Sequence, residues 1–247
     1  MRLFIPVLFA CLLATPSFAA PTPAELLASS DRARGAAKNL KGLSWRSEVV
    51  SVESGKEESS VTYTVKVLGN DALAQVTQPA RQKGELVLFN DRTLWYFKPG
   101  LKKPVNISPR QKLVGQAANG DIASTQYARD YDALEAGEDT VNGQKAWKLE
   151  LKAKARNVTY DKIRYWISKS NQVALKAEFL TLAGVPFKVA EFKYANSITI
   201  AGTKFPFVSE MKIHDANNAE NKTSITYKNP KEEAHAAGLF NVNSLMK

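Results

Sequence analysis

Apolar and polar positions alternate with a period of two along most of this chain. Val61, Tyr63, Val65 and Val67 fall on one face of a strand, and Thr62, Thr64 and Lys66 fall on the other. That is the pattern of a sheet with one buried side. The same alternation predicts strands over 45–52, 61–68, 72–77, 146–152, 160–168, 173–180, 185–194, 198–200, 205–214 and 223–228. Turn sequences such as Glu53-Ser54-Gly55-Lys56, Gly69-Asn70-Asp71, Asn142-Gly143 and Ala201-Gly202 separate most of them. Short strands with turns every ~8–12 residues describe a meander that curls into a sandwich or barrel.

Three stretches break the alternation. The first is a hairpin over 86–97, in which Asn90-Asp91-Arg92 turns Leu86-Val87-Leu88-Phe89 into Leu94-Trp95-Tyr96-Phe97. Leu86 and Leu88 point one way and Val87 and Phe89 the other, so both faces of this hairpin require cover. A helix, a partner or an apolar ligand could supply it, and the tail around Gly238-Leu239-Phe240 is placed to dock back on the sheet. The second is Thr22-Pro23-Ala24-Glu25, an N-cap, a proline at the first helical position and a glutamate at the third. It predicts a helix from there to about Leu40, ended by Gly42. Leu26, Ala33, Ala37 and Leu40 lie along one stripe, with Arg32, Arg34 and Lys38 elsewhere on the wheel. The third is 110–136, which holds Gly115, Gly120 and scattered Leu113, Val114, Ile122, Tyr127, Tyr131 and Leu134. It reads as one or two short helices over the sheet, a mobile lid.

The first residues change the picture of where the chain works. Met1-Arg2, a short apolar run over 3–14 and Thr15-Pro16-Ser17-Phe18-Ala19 predict a secretory signal peptide over 1–20, cleaved near Ala19 or Ala20. The run is too short to span a bilayer. Leu8-Phe9-Ala10-Cys11 faintly resembles a bacterial lipobox, the alternative in which an acylated cysteine begins the mature chain. Without Cys11, residues 21–247 hold no cysteine, and a single domain free of disulfides and thiolate metal sites is expected. The chain carries a net charge of +10. For an exported protein this favours transient contact with anionic membrane surfaces or acidic partners over nucleic acid, unless it is a generally solvated basic surface.

Candidate chemistry is sparse. His214 and His235 are the only two histidines, and neither has a further ligand at metal spacing. No Gly-x-Ser-x-Gly elbow, His-Glu-x-x-His or phosphate loop occurs. Asp121, Asp130 and Asp132 could form a carboxylate cluster, although helix caps or hydrated loop acids explain them more simply. No enzyme activity, cofactor or metal is expected. What the sequence does offer is inward-facing apolar and aromatic residues: Tyr63, Val65, Phe89, Trp147, Leu149, Tyr165, Phe179, Phe192, Phe207 and Met211, with Leu113, Ile122 and Tyr127 beneath the lid. Ordinary core is one reading of them. A concave sheet with a lidded apolar ligand cavity is the other.

Several stretches resemble the LolA-like family of bacterial outer-membrane lipoprotein-sorting proteins. They are Gly84-Glu85-Leu86, Leu94-Trp95-Tyr96-Phe97-Lys98-Pro99 with Leu101-Lys102-Lys103, Ile107-Ser108, Asp130-Tyr131, Gly143-Gln144-Lys145-Ala146-Trp147-Lys148-Leu149 and Tyr160-Asp161-Lys162-Ile163-Arg164-Tyr165-Trp166-Ile167. The resemblance covers most of residues 21–247. It implies a mainly β (α+β) fold, a curved antiparallel sheet forming an unclosed β-barrel of roughly eleven strands, with helices covering its concave face. It also implies a monomeric periplasmic carrier that shields the acyl chains of a lipoprotein or lipid in transit toward the outer membrane. An inner-membrane exporter of the RND type and an outer-membrane acceptor are the partners it suggests. A periplasmic sensor or interaction domain on the same fold is the alternative. In such carriers an arginine ties the helices down when empty, and Arg46, Arg81 and Arg92 are the candidates here.

Overall fold

A computed structural model of the chain describes residues 20–36, 40–90, 92–123 and 126–246. The expected leader lies outside the described residues, as do Asp91 of the hairpin turn and Ala37 of the expected helical stripe. Helix α1 (Pro23–Arg32) is followed by β1 (Leu43–Glu53), β2 (Lys56–Leu68), β3 (Asp71–Gln78), β4 (Leu86–Asn90), β5 (Thr93–Phe97) and β6 (Val105–Ile107). A small hairpin, β7 (Lys112–Val114) and β8 (Ala117–Ala118), leads into α2 (Asn119–Ala123) and α3 (Tyr127–Asp130). The chain then runs through β9 (Tyr131–Val141), β10 (Gln144–Ala153), β11 (Lys162–Ser168), β12 (Ala174–Leu180) and β13 (Pro186–Lys193). It ends in β14 (Asn196–Ile200), β15 (Thr203–Phe207), β16 (Glu210–Asp215), β17 (Lys222–Glu232) and two short 3₁₀ turns.

Thirteen strands form one antiparallel sheet in the order β6-β5-β4-β3-β2-β1-β17-β16-β13-β12-β11-β10-β9. The two outermost strands, β6 and β9, are not bonded to each other, so the barrel is unclosed. The first and last long strands, β1 and β17, pair in its middle. Hairpin β14–β15 leaves the sheet between β13 and β16. The inner face carries a continuous apolar core from Val61, Val65 and Val87 on one flank to Leu149, Ile163, Phe179 and Ile213 on the other.

Four expectations need correction. The helix stops at Arg32 rather than Leu40, because Gly35 turns the chain at φ +103 and packs against the Trp45 ring. The capping box is as expected: Thr22 Oγ1 accepts from the Glu25 amide and Glu25 returns to the Thr22 amide at 2.8 Å. The predicted 205–214 strand is two, β15 and β16, with Val208 between them donating its amide to the Ala33 carbonyl at 2.8 Å. The 110–136 segment does contain two short helices, but strand β9 begins at Tyr131. Asp132-Ala133-Leu134-Glu135 has weak strand propensity and pairs only with β10, an edge position where propensity counts for little. The resemblance implied about eleven strands, and the sheet has thirteen.

The doubly apolar hairpin finds both its covers within the chain. Val87, Phe89 and Leu94 belong to the inner core. On the outer face Phe240 and Leu245 of the C-terminal turns pack on Leu73 and Leu88, with Leu86, Trp95 and Phe97 around them. The tail docks as expected, so this hairpin does not by itself imply a ligand.

Candidate functional site

The inner face of the sheet is closed over by the end of α1 and by α3, and the residue that joins them is Arg34. The residue is 4% exposed. It donates to the Tyr165 hydroxyl of β11 at 3.2 Å and sits 4.7 Å from the ring centres of both Tyr127 of α3 and Phe192 of β13. No ion pair involving Arg34 occurs among the described residues, so a permanently charged group is held in the core by π faces and one hydroxyl. Ser30 of α1 bonds the same Tyr165 hydroxyl at 2.8 Å. Arg34 therefore links the end of α1 to the sheet and to α3. Arg46, Arg81 and Arg92, the residues anticipated for that role, are all exposed. Gly35 explains the miss: continuing the helix past Arg34 left it on the polar side of the wheel, whereas the turn at Gly35 swings it inward.

Asp31, on the last turn of α1, makes the second tie. Its Oδ2 accepts from the Ala128 amide at 2.7 Å and so caps α3, whose own N-cap residue Gln126 makes no side-chain cap. The carboxyl is 3% exposed, and its other oxygen, Oδ1, has no hydrogen-bond partner. Burial pushes this carboxyl up to about 7, against the opposing pull of the Ala128 amide, the Arg34 guanidinium and the neighbouring Tyr127 amide, which lies near the carboxyl without completing a hydrogen bond to Oδ1.

A cavity of about 520 Å³ opens between these ties. Ala28, Asp31 and Arg32 of α1 line it, as do Ala128 and Arg129 of α3 and Ile200 and Phe205 of the β14–β15 hairpin. Behind Gln126 a residual gap of about 20 Å³ continues into the core between Arg34, Trp45, Val67, Ala72 and Ile122. Gln126 lines both, and the inner gap is far smaller than the mouth. Its apolar lining with a few convergent polar groups is the usual composition of a small-molecule site. A separate 210 Å³ pocket lies between β2–β5 and the β7–β8 hairpin, lined by Tyr63, Glu85, Tyr96 and Leu113 among others.

All of the anticipated ligand-binding residues lie in or against the one apolar core. Tyr127, Tyr165 and Phe192 gather around Arg34, with Tyr127 and Tyr165 5.3 Å apart edge to face. Ile122 lines the gap behind it. Tyr63 and Leu113 line the separate pocket. Phe179 stacks on Tyr160 at 3.7 Å, Phe207 lies 5.5 Å from Trp45, and Phe89 lies under Arg129. Val65, Leu149 and Met211 are fully enclosed, and half-buried Trp147 carries Lys169 over its ring. None of them lines the 520 Å³ cavity. Apart from Leu40, which the sequence placed on the helical stripe, its lining was not anticipated, because it comes mostly from small, polar or charged residues and from a hairpin outside the main sheet.

The remaining candidate chemistry is structural. Asp121 accepts from the Ala118 amide and the Tyr160 hydroxyl, both at 2.8 Å. Asp130 chelates Arg129 at 2.5 and 2.6 Å, and Asp132 faces Lys154. Among the described residues no group of His, Cys, Asp or Glu is placed to hold a metal ion, and no helix is long and apolar enough to cross a membrane.

Comparison with known proteins adds the following. A family model described as "Uncharacterized protein" matches residues 69–247. No curated protein matches the chain. Among solved structures, a LolA superfamily protein from Nitrosomonas europaea is 27% identical, covering 90% of this chain and 98% of its own with a TM-score of 0.78. An outer membrane lipoprotein-sorting protein domain from Vibrio parahaemolyticus is 20% identical (90% and 97% covered, TM-score 0.73). A DUF1329 family protein from Desulfovibrio piger is 17% identical (90% and 97% covered, TM-score 0.72). The last two show a shared fold.

Proposed function

Because this chain belongs to the LolA-like family, we propose that it is a non-enzymatic periplasmic carrier that shields the acyl chains of a lipoprotein or lipid. The observation that carries this reading is the way the concave face is shut. A core with no functional demand would be closed by apolar packing, since burying an unpaired charge is expensive. Here a buried arginine and a buried, half-satisfied aspartate hold two short helices over an apolar interior. Such ties specify a closed arrangement without making it very stable, which suits a part that must open.

In this reading the acyl chain enters at the 520 Å³ mouth, displaces Gln126 and loosens α3 without breaking its Asp31 cap. It takes the place of Tyr127 and its neighbours against Leu149, Tyr165, Phe192 and Met211. Burying ten methylenes gains about 8 kcal/mol at ~0.8 per CH₂. Association costs ~4–15 kcal/mol, so binding stays reversible, as a carrier requires. The lid is the helical part of the expected segment, α2 and α3, rather than all of 110–136.

The test is saturable binding of a fluorescent fatty acyl probe to purified, cooperatively folded protein. It is paired with hydrogen-exchange mass spectrometry of residues 119–130. Micromolar or tighter binding, with exchange altered there and unchanged in β4–β5, is expected. A folded sample that shows no saturable binding would sink the carrier reading.

A further inference from the structure

The unsatisfied oxygen of Asp31 leads to the headgroup of the ligand, an inference that rests on the carrier reading above. A buried carboxylate oxygen without a partner forfeits a hydrogen bond, and native proteins rarely leave one so. Asp31 is not surplus helix polarity, since Oδ2 already caps α3. Oδ1 is the part left over, on a residue that lines the 520 Å³ cavity. No lysine, arginine or hydroxyl supplies the missing donor among the described residues, and Arg34 is occupied with Tyr165 and two rings. The two arginines of the same cavity differ. Arg129 is chelated by Asp130. Arg32 is exposed, lies 5.5 Å over the Phe205 ring and makes no ion pair among the described residues. The cavity is therefore lined by an acid whose buried Oδ1 makes no hydrogen bond and by one rim cation that makes no ion pair among the described residues, beside an apolar wall of Ala28, Ile200 and Phe205.

We propose that this cavity is a headgroup site for a zwitterionic lipid bearing a primary ammonium, with the ammonium donating to Asp31 Oδ1 and the phosphate facing Arg32. A primary ammonium has three N–H donors and a full charge. It both satisfies Oδ1 and offsets the cost of a buried carboxylate. A quaternary ammonium carries the same charge without a donor and leaves Oδ1 as it was. Phosphoethanolamine and phosphocholine headgroups differ in that one respect, which makes them the discriminating pair.

The experiment measures binding of hexadecanoyl lysophosphatidylethanolamine and lysophosphatidylcholine, both below micelle formation, by displacement of an apolar fluorophore from the full mature chain. The wild type should prefer the ethanolamine lipid by about tenfold, the factor that one charge-assisted hydrogen bond of ~1.4 kcal/mol confers. Asp31→Asn should bind both lipids alike, and Arg32→Gln should weaken both while keeping the preference. A readout on the wild type alone guards against a variant that does not fold. The ¹³C-detected titration of the Asp31 carboxyl, starting from about 7, should move down further with the ethanolamine lipid than with the choline lipid, because both bring a cation but only the primary ammonium also donates a hydrogen bond to the charged form. Equal wild-type affinities for the two lipids, or a preference that survives Asp31→Asn, overturn the headgroup assignment and leave the carrier reading standing. If neither lysolipid binds to folded protein, the carrier reading fails and the headgroup site with it.

Discussion

Replacing Asp31 with asparagine should make the protein more stable at neutral pH and remove part of its pH dependence. The carboxyl lies in the core with Oδ2 on the Ala128 amide and Oδ1 unpaired, and its folded-state value is about 7 against an ordinary 3.8. Between those two values the folded protein holds a proton that the unfolded chain has released. Stability therefore falls as pH rises through this window and is highest below about 4, where both states are protonated. Each pH unit is worth about 1.4 kcal/mol, so the window spans roughly 4 kcal/mol. Asparagine is neutral at every pH and keeps an oxygen for the Ala128 amide. Asp31→Asn should thus match the wild type near pH 4 and exceed it by about 4 kcal/mol at pH 8. Urea unfolding midpoints at unit steps from pH 4 to 8, with unchanged m-values, give this difference directly, and the other titrating groups cancel in the subtraction. Parallel curves for the two proteins would refute the reasoning, as would a variant that is less stable than the wild type at pH 8.

Three further outcomes follow from the same contacts. Arg34→Leu should speed amide exchange in α3 and over 30–36 by about tenfold or more, since the π contacts to Tyr127 and Phe192 are lost, while β1 and β17 keep their protection; uniform acceleration across the sheet would mean global destabilisation instead. Phe240→Ala should cost about 3–5 kcal/mol in chemical unfolding, because Phe240 is the main cover of Leu73 and Leu88 on the outer face, and a cost under 1 kcal/mol would show that the tail is not integral to the fold. Gly115→Ala should lower the melting temperature by several degrees, because the residue sits at φ +52 and an added Cβ would collide with Thr223 Oγ1 and Ser51 Cβ; a melt unchanged within a degree would show that the β7–β8 hairpin shifts freely.

The alternation of side chains was enough to determine most of the sheet. A period of two dictates which residues face inward whatever the strands pair with, and the turn residues between the runs favour sequence neighbours as partners, although β1–β17 and β13–β16 pair across longer stretches of chain. The Thr22–Glu25 capping box likewise announces the start of α1 locally, and both its bonds form. The doubly apolar residues of 86–97 showed that a second cover must exist. Only the folded chain shows that this cover is Phe240 and Leu245, arriving from the opposite end of the sequence. The break in alternation over 110–136 already read as short helices over the sheet, but the polar ties that hold them there were legible nowhere in the pattern. Arg34 looks like a solvated helix residue until Gly35 ends the helix and Val208 holds the Ala33 carbonyl, and Asp31 looks like an ordinary acid until Ala128 arrives above it. Periodicity reports which face of an element is apolar. Whether a charge is buried depends on what other segments place around it, and that is decided only when distant strands and helices meet.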